Sequence, residues 1–185
     1  MVEKSKTNNL KQIEYFRRII SIINDDIIDD NLNTVVYTSH KKNLSSKENF
    51  NNFILNVQRF FDELNIKKIT CFREENANWL KYLSYENVAE ELNSAYKYLQ
   101  KLINAKSFTG VFVMETSDLI QFLPHIISFT AFQGGLPSIY FGSDDSNLLF
   151  HVCKYSNLHV YYYGSKIIKP SYFEVTSPRE EYWIG

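Results

Sequence analysis

The sequence predicts an α/β fold of three layers, with a mainly parallel sheet of Rossmann or flavodoxin type and an additional N-terminal helix. Two observations carry that expectation. Short β-branched and aromatic runs alternate with helical stripes of ten or more residues, the pattern of successive β-α-β units. The run Val111, Phe112, Val113, Met114 shows no polar alternation, as a strand covered on both faces requires. With only 4 Pro and 6 Gly the chain offers no flexible linker, so residues 1–185 are expected to form one domain. Its parts are an N-terminal helix within 10–30, a β-α-β core over 34–166 and a C-terminal arm over 167–185.

Residues 10–28 place Ile13, Phe16, Ile19, Ile20, Ile23 and Ile27 three and four apart, which predicts a helix. Val35, Val36 and Tyr37 predict a short strand. Ser45 or Ser46, with Glu48 close behind, resembles a capping box. It introduces the stripe Phe50, Phe53, Ile54, Val57, Phe60, Phe61 and Leu64, a second helix. Residues 69–72 predict a strand, and "REENANWLKYLSYEN" a long polar connection. A third helix follows from Val88, Leu92, Ala95, Tyr96, Leu99, Leu102 and Ile103. After the strand at 111–114 comes a helix broken or restarted at Pro124 and ended by Gly134 and Gly135. In "SIYFGSDDSNLLFHV" a strand over 139–141 meets a small acidic turn, and the apolar spacing beyond it predicts a helix to about Tyr155. A further strand is expected in "LHVYYYGSK", and an irregular arm closes the chain.

Composition narrows the function classes. The 20 basic and 21 acidic residues leave a formal net charge of −1, which argues against broad binding to nucleic acid or anionic lipid. No segment approaches the ~20 apolar residues of a membrane span, and the polar N-terminus lacks the apolar core of a signal peptide. Cys71 and Cys153 both sit in apolar surroundings, as buried free thiols in a reducing compartment would. A soluble, cytoplasmic protein is expected. No cysteine or histidine pair has metal-ligand spacing, and no G-x-G-x-x-G, P-loop or G-x-S-x-G pattern occurs, so neither metal nor cofactor is expected.

If the sheet is parallel, its polar strand ends share one edge, where ligands bind in open α/β sheets. Those ends are Thr38-Ser39-His40, Glu115-Thr116-Ser117-Asp118, Gly142-Ser143-Asp144-Asp145 and Gly164-Ser165-Lys166. His40 and Glu115 are the acid/base candidates. Ser39, Ser117, Asp118, Ser143 and Asp144 are candidate contacts to an anionic ligand at helix N-termini. Helix capping accounts for several of the same serines and aspartates without any ligand. Trp79, Tyr82 and Tyr85 in the long connection form a candidate partner surface, because amphipathic aromatics anchor protein contacts. Trp79 folding back on the core is the competing reading.

The pieces "VVYTSHKKN", "FVMETSD" and "GGLPSIYF" resemble, in order, a first strand with its loop, a later strand with its Ser turn, and the following strand of TIR-type domains. The resemblance covers residues 34–141 and implies a shared Rossmann-like layout. Catalytic TIR domains carry a glutamate in the helix after the Ser turn. Here that stretch is "LIQFLPHIISFTAF", with no acid, so the resemblance does not extend to NAD cleavage.

Two functional expectations follow. The first is a non-catalytic binding protein of inhibitor, immunity or signalling-adaptor type that recognises a protein, with homo-oligomerisation compatible. The second is a small Rossmann-like enzyme or sensor acting on a nucleotide-like or other anionic metabolite through His40 and Glu115.

Overall fold

The computed structural model describes residues 2–5, 10–25, 27, 29–73, 78–80, 89–132, 139–143, 146–153, 155–164 and 170–176. The strands are β1 (Glu3–Ser5), β2 (Leu32–Thr38), β3 (Lys68–Arg73), β4 (Val111–Glu115), β5 (Ile139–Ser143), β6 (Leu149–Val152), β7 (Leu158–Tyr163) and β8 (Glu174–Thr176). The helices are α1 (Leu10–Asn24), α2 (Ser46–Glu63), α3 (Glu90–Ile103) and α4 (Leu119–Phe132), and a 3₁₀ turn at Thr116–Asp118 leads into α4.

The strands form one sheet in the order β1-β4-β3-β5-β6-β7-β2-β8, and every neighbouring pair is antiparallel. This overturns the expected parallel Rossmann or flavodoxin sheet, and with it the TIR-like layout. The physical reason is the strand order. β4 and β5 do run in the same direction with α4 between them, as a β-α-β unit should, but β3 is inserted between them and runs the other way. β2 and β3 are likewise co-directional across α2, yet β5, β6 and β7 separate them. Alternating helices and strands in sequence therefore coexist with a sheet that has no parallel neighbours.

Both faces of the sheet are covered. On one face α2, α3 and α4 pack over inward residues such as Val35, Tyr37, Ile69, Phe112, Phe141, Phe150 and Val160. On the other, α1 sets Ile13, Phe16, Ile19 and Ile20 against Phe72, Tyr140, Leu149 and Tyr161. β5 shows the alternation directly: Ile139 and Phe141 join the three-helix side and Tyr140 joins the α1 side. The described aromatic residues go largely inward. Phe61 meets Phe150 edge to face with centroids 4.6 Å apart, and Phe16 stacks on Phe72 at 6.1 Å.

Local signals explain the elements that form as expected. Ser45 closes a capping box with Glu48: the Glu48 amide donates to Ser45 Oγ at 3.3 Å, and the Ser45 amide donates to Glu48 Oε2 at 2.8 Å. Other elements depart from expectation. The segment expected to be a helix up to Tyr155 is β6, a strand hydrogen-bonded to β5 and β7. Leu149 and Phe150 are both fully buried because they face opposite helical layers, so consecutive apolar residues mark a doubly covered strand here. α4 runs unbroken through Pro124, since Phe122, Leu123, Ile126 and Ile127 on either side of it are buried in the core. β1 and β8, three residues each, lay outside the expected strands.

Candidate functional site

Antiparallel pairing divides the polar strand ends. Lys68 lies opposite Glu115, Ile69 opposite Ser143 and Leu32 opposite Tyr163, so these residues mark one end of the sheet. Tyr37 lies opposite Leu158 and Thr38 opposite Glu174, which puts Ser39 and His40 at the other end. Five strand spacings, roughly 24 Å, also separate β2 from β4. The structure therefore does not bring His40 and Glu115 together as an acid/base pair. His40 is exposed, its amide donating to Thr38 Oγ1 at 3.4 Å, and Glu115 is exposed opposite Lys68.

The anion contacts disperse in the same way. Ser39 is buried at the His40 end, away from Ser117, Asp118 and Ser143. Ser143 is fully buried on the three-helix face of β5, closed off from any crevice. Ser117 is exposed and Asp118 half-buried, both in the 3₁₀ turn before α4. Asp144 lies outside the described residues. Trp79, expected on a partner surface, is only 3% exposed. Its Nε1 donates to the Gly110 carbonyl at 2.9 Å and its ring meets Phe112 at 4.8 Å, so it belongs to the core. Tyr82 and Tyr85 lie outside the described residues.

The remaining ring-nitrogen and thiol groups are structural in placement. His125 stacks on Tyr98 with centroids 4.0 Å apart, and burial lowers its pKa. Neither Cys71 nor Cys153 is in a disulfide, and complete burial pushes the Cys71 thiol pKa well up, which favours the protonated thiol. Among the described residues no group of three or more His, Cys, Asp or Glu could hold a metal ion, and no helix is long and apolar enough to cross a membrane.

What the fold does assemble at the Glu115 end is a cavity of about 480 Å³. The end of α2 contributes Glu63 and Leu64, the β5–β6 turn contributes Ser146, Asn147 and Leu148, and β7 contributes Tyr162 and Tyr163. Glu63 is held firmly: Arg59 Nε donates to Oε1 at 3.0 Å and Tyr172 Oη to Oε2 at 2.8 Å. Arg59 also lies 4.2 Å above the Tyr172 ring. Desolvation, and then the bond to Glu63, push the Tyr172 phenol well above its usual range. Tyr163 Oη donates to Asp29 Oδ2 at 2.9 Å. That bond assists the Asn31 amide in lowering the Asp29 pKa.

No family model, curated protein or solved structure matches the chain.

A different set of groups lies at the His40 end. Tyr155, in the β6–β7 turn, is 69% exposed, and Val175 of β8 is 45% exposed. In that turn the Cys153 amide donates to the Asn157 carbonyl at 3.1 Å and the Ser156 amide to the Cys153 carbonyl at 3.0 Å. Since β6, β7, β2 and β8 are consecutive in the sheet, Tyr155, His40 and Val175 occupy one corner. The sequence signalled His40 but neither of its neighbours, because only strand order brings them together.

Proposed function

We propose that this chain is a non-catalytic, intracellular binding protein of inhibitor, immunity or adaptor type, and that its partner is a protein docking at the β6–β7–β2–β8 corner. The observation that carries this reading is that the strand order sets three exposed residues, Tyr155, Val175 and His40, on neighbouring strands at the same end of the sheet. Aromatic anchors of this kind contribute disproportionately to protein–protein affinity. β8 adds a second means of recognition. It is a short outer strand, and among the described residues none pairs with its far edge, where an extended partner segment can add. Two cysteines outside any disulfide, Cys71 and Cys153, suit a reducing compartment.

The test is capture of partners from an extract of the source cells, identification of the captured protein, and measurement of its affinity by calorimetry. A defined one-to-one complex, weakened at least tenfold by Tyr155→Ala or Val175→Glu without change in the melting temperature, supports the reading. A complex that binds both variants as tightly as the parent chain rejects the corner as the docking surface. Recovery of no partner over the range of extracts, with turnover of a metabolite, rejects the reading altogether.

A further inference from the structure

We propose that the groove between β2 and α2 is an interaction surface for a second copy of this chain, and that two copies exchange residues 170–176 through it. In the structure the groove holds the chain's own segment. Phe173, 6% exposed, enters a socket of aromatic rings, with centroids 5.5 Å from Tyr37, 6.2 Å from Phe60 and 6.4 Å from Phe53. Asn56 Nδ2 donates to the Tyr172 carbonyl at 3.2 Å, and the Tyr172 phenol donates to Glu63 further along α2. Glu174, Val175 and Thr176 then pair with Thr38, Tyr37 and Val36. Each of these contacts joins the segment to β2 or α2. A segment of the same sequence from another copy therefore remakes them all, which is what keeps the exchange of identical elements low in cost.

The segment is held lightly for an element that closes part of the core. β8 is three residues long, lies at the end of the strand order and pairs with β2 alone among the described strands. The Arg59–Glu63 pair that clasps Tyr172 lies on the helix surface, with side chains 58% and 46% exposed, where solvent leaves such pairs weak. Short outer elements of this kind open locally, below the free energy of global unfolding. The tether is long enough to carry the segment away. Tyr163 ends β7 opposite Leu32, and Glu174 opens β8 opposite Thr38, about 20 Å further along β2. The ten residues between them can extend to about 33 Å. Opening bares the aromatic socket and the β2 edge, a liability that a matching segment removes. A groove filled by the other copy still carries β8, so exchange neither requires nor prevents docking at the corner.

Two whole-chain variants test this, Thr38→Cys and Glu174→Cys, each combined with Cys153→Ser. They are mixed a few degrees below the melting transition and oxidised mildly. Thr38 and Glu174 stand opposite one another in the ladder, so a covalent dimer joined at positions 38 and 174 reports a segment seated in the other copy's groove. The double variant Thr38→Cys/Glu174→Cys should close the same link within one chain and serves as the positive control. The expected result is a mixed dimer whose yield rises with protein concentration. Adding Tyr172→Phe to the Glu174→Cys chain removes the bond to Glu63 and should speed its formation about threefold or more. Using Ser117→Cys in place of Glu174→Cys, an exposed site at the opposite end of the sheet, should give no comparable dimer. Absence of the mixed dimer under conditions where the double variant closes overturns the proposal. So does a Ser117→Cys chain that links as readily, because the dimer would then record random collision. A double variant that fails to close overturns it as well, because β8 would then not lie beside β2.

Discussion

His151 of β6 and His159 of β7 stand directly opposite one another in the antiparallel register, with ring centroids 5.4 Å apart. Tyr140 of β5 lies against His151 on the other side at 5.2 Å. Burial brings the His159 pKa down to about 4. Burial, aided by the neighbouring His159, brings the His151 pKa down to about 3. Both rings are neutral at neutral pH.

The pair makes stability depend on acid in a defined direction. The unfolded histidines take up protons near pH 6.5, and the folded ones do so only near 4 and 3. Their contribution is complete above pH 6.5 and is lost as pH falls toward the folded values. Each such proton gives a slope of about 1.4 kcal/mol per pH unit, so the pair approaches about 2.7 between roughly pH 5.5 and 4.5. Urea unfolding across that interval should show a His151→Gln/His159→Gln double variant losing nearly two protons of slope. Identical slopes would mean that the pair is not buried in this way.

Gly142 of β5 is required by α1. A Cβ at this position would run into the ring of Phe16, which is itself buried against the sheet. Gly142→Ala is expected to destabilise by about 1–3 kcal/mol, the usual cost of overpacking a filled core. Combining it with Phe16→Leu should cost less than the two changes summed, because the smaller side chain makes room. Denaturant midpoints of the four proteins measure the coupling, and strict additivity would contradict the contact.

Trp79 distinguishes core from surface. Trp79→Phe retains most of the packing on Phe112 but loses the bond to the Gly110 carbonyl, for about 1 kcal/mol. Trp79→Ala should cost about 3–5 kcal/mol. Partner affinity measured below the melting transition should be the same for the parent chain and Trp79→Phe. A variant of undiminished stability that had lost the partner would return Trp79 to the surface.

The capping box of α2 makes a separate prediction. Ser45→Ala removes the acceptor for the Glu48 amide and should cost about 1 kcal/mol, whereas Ser45→Asp should cost much less. The Ser45 side chain, then its amide, hold the Glu48 pKa below its ordinary value. NMR titration of Ser45→Ala should therefore show the Glu48 pKa moving up. An unmoved titration would place the stabilisation elsewhere.

The sequence by itself determined the amphipathic helices and the strand cores. Phe53, Val57, Phe60 and Phe61 recur at helical spacing, and α2 buries those residues; the cap at Ser45 was legible as well. These are local properties, set by 3.6-residue periodicity and by side chains that bond to their own backbone. β6 was not legible, because Leu148, Leu149 and Val152 satisfy a helical spacing as well as a doubly covered strand, and only pairing with β5 and β7 decides between them. The site depended on the same choice. Inserting β3 between β4 and β5, and running β2 beside β7, sends His40 and Glu115 to opposite ends of the sheet. The same strand order sets Tyr155 and Val175 at one corner and lays β8 beside β2. Strand order is a property of long-range backbone pairing, which no spacing within a single segment records. Tertiary structure alone therefore decided which polar and aromatic residues could act together.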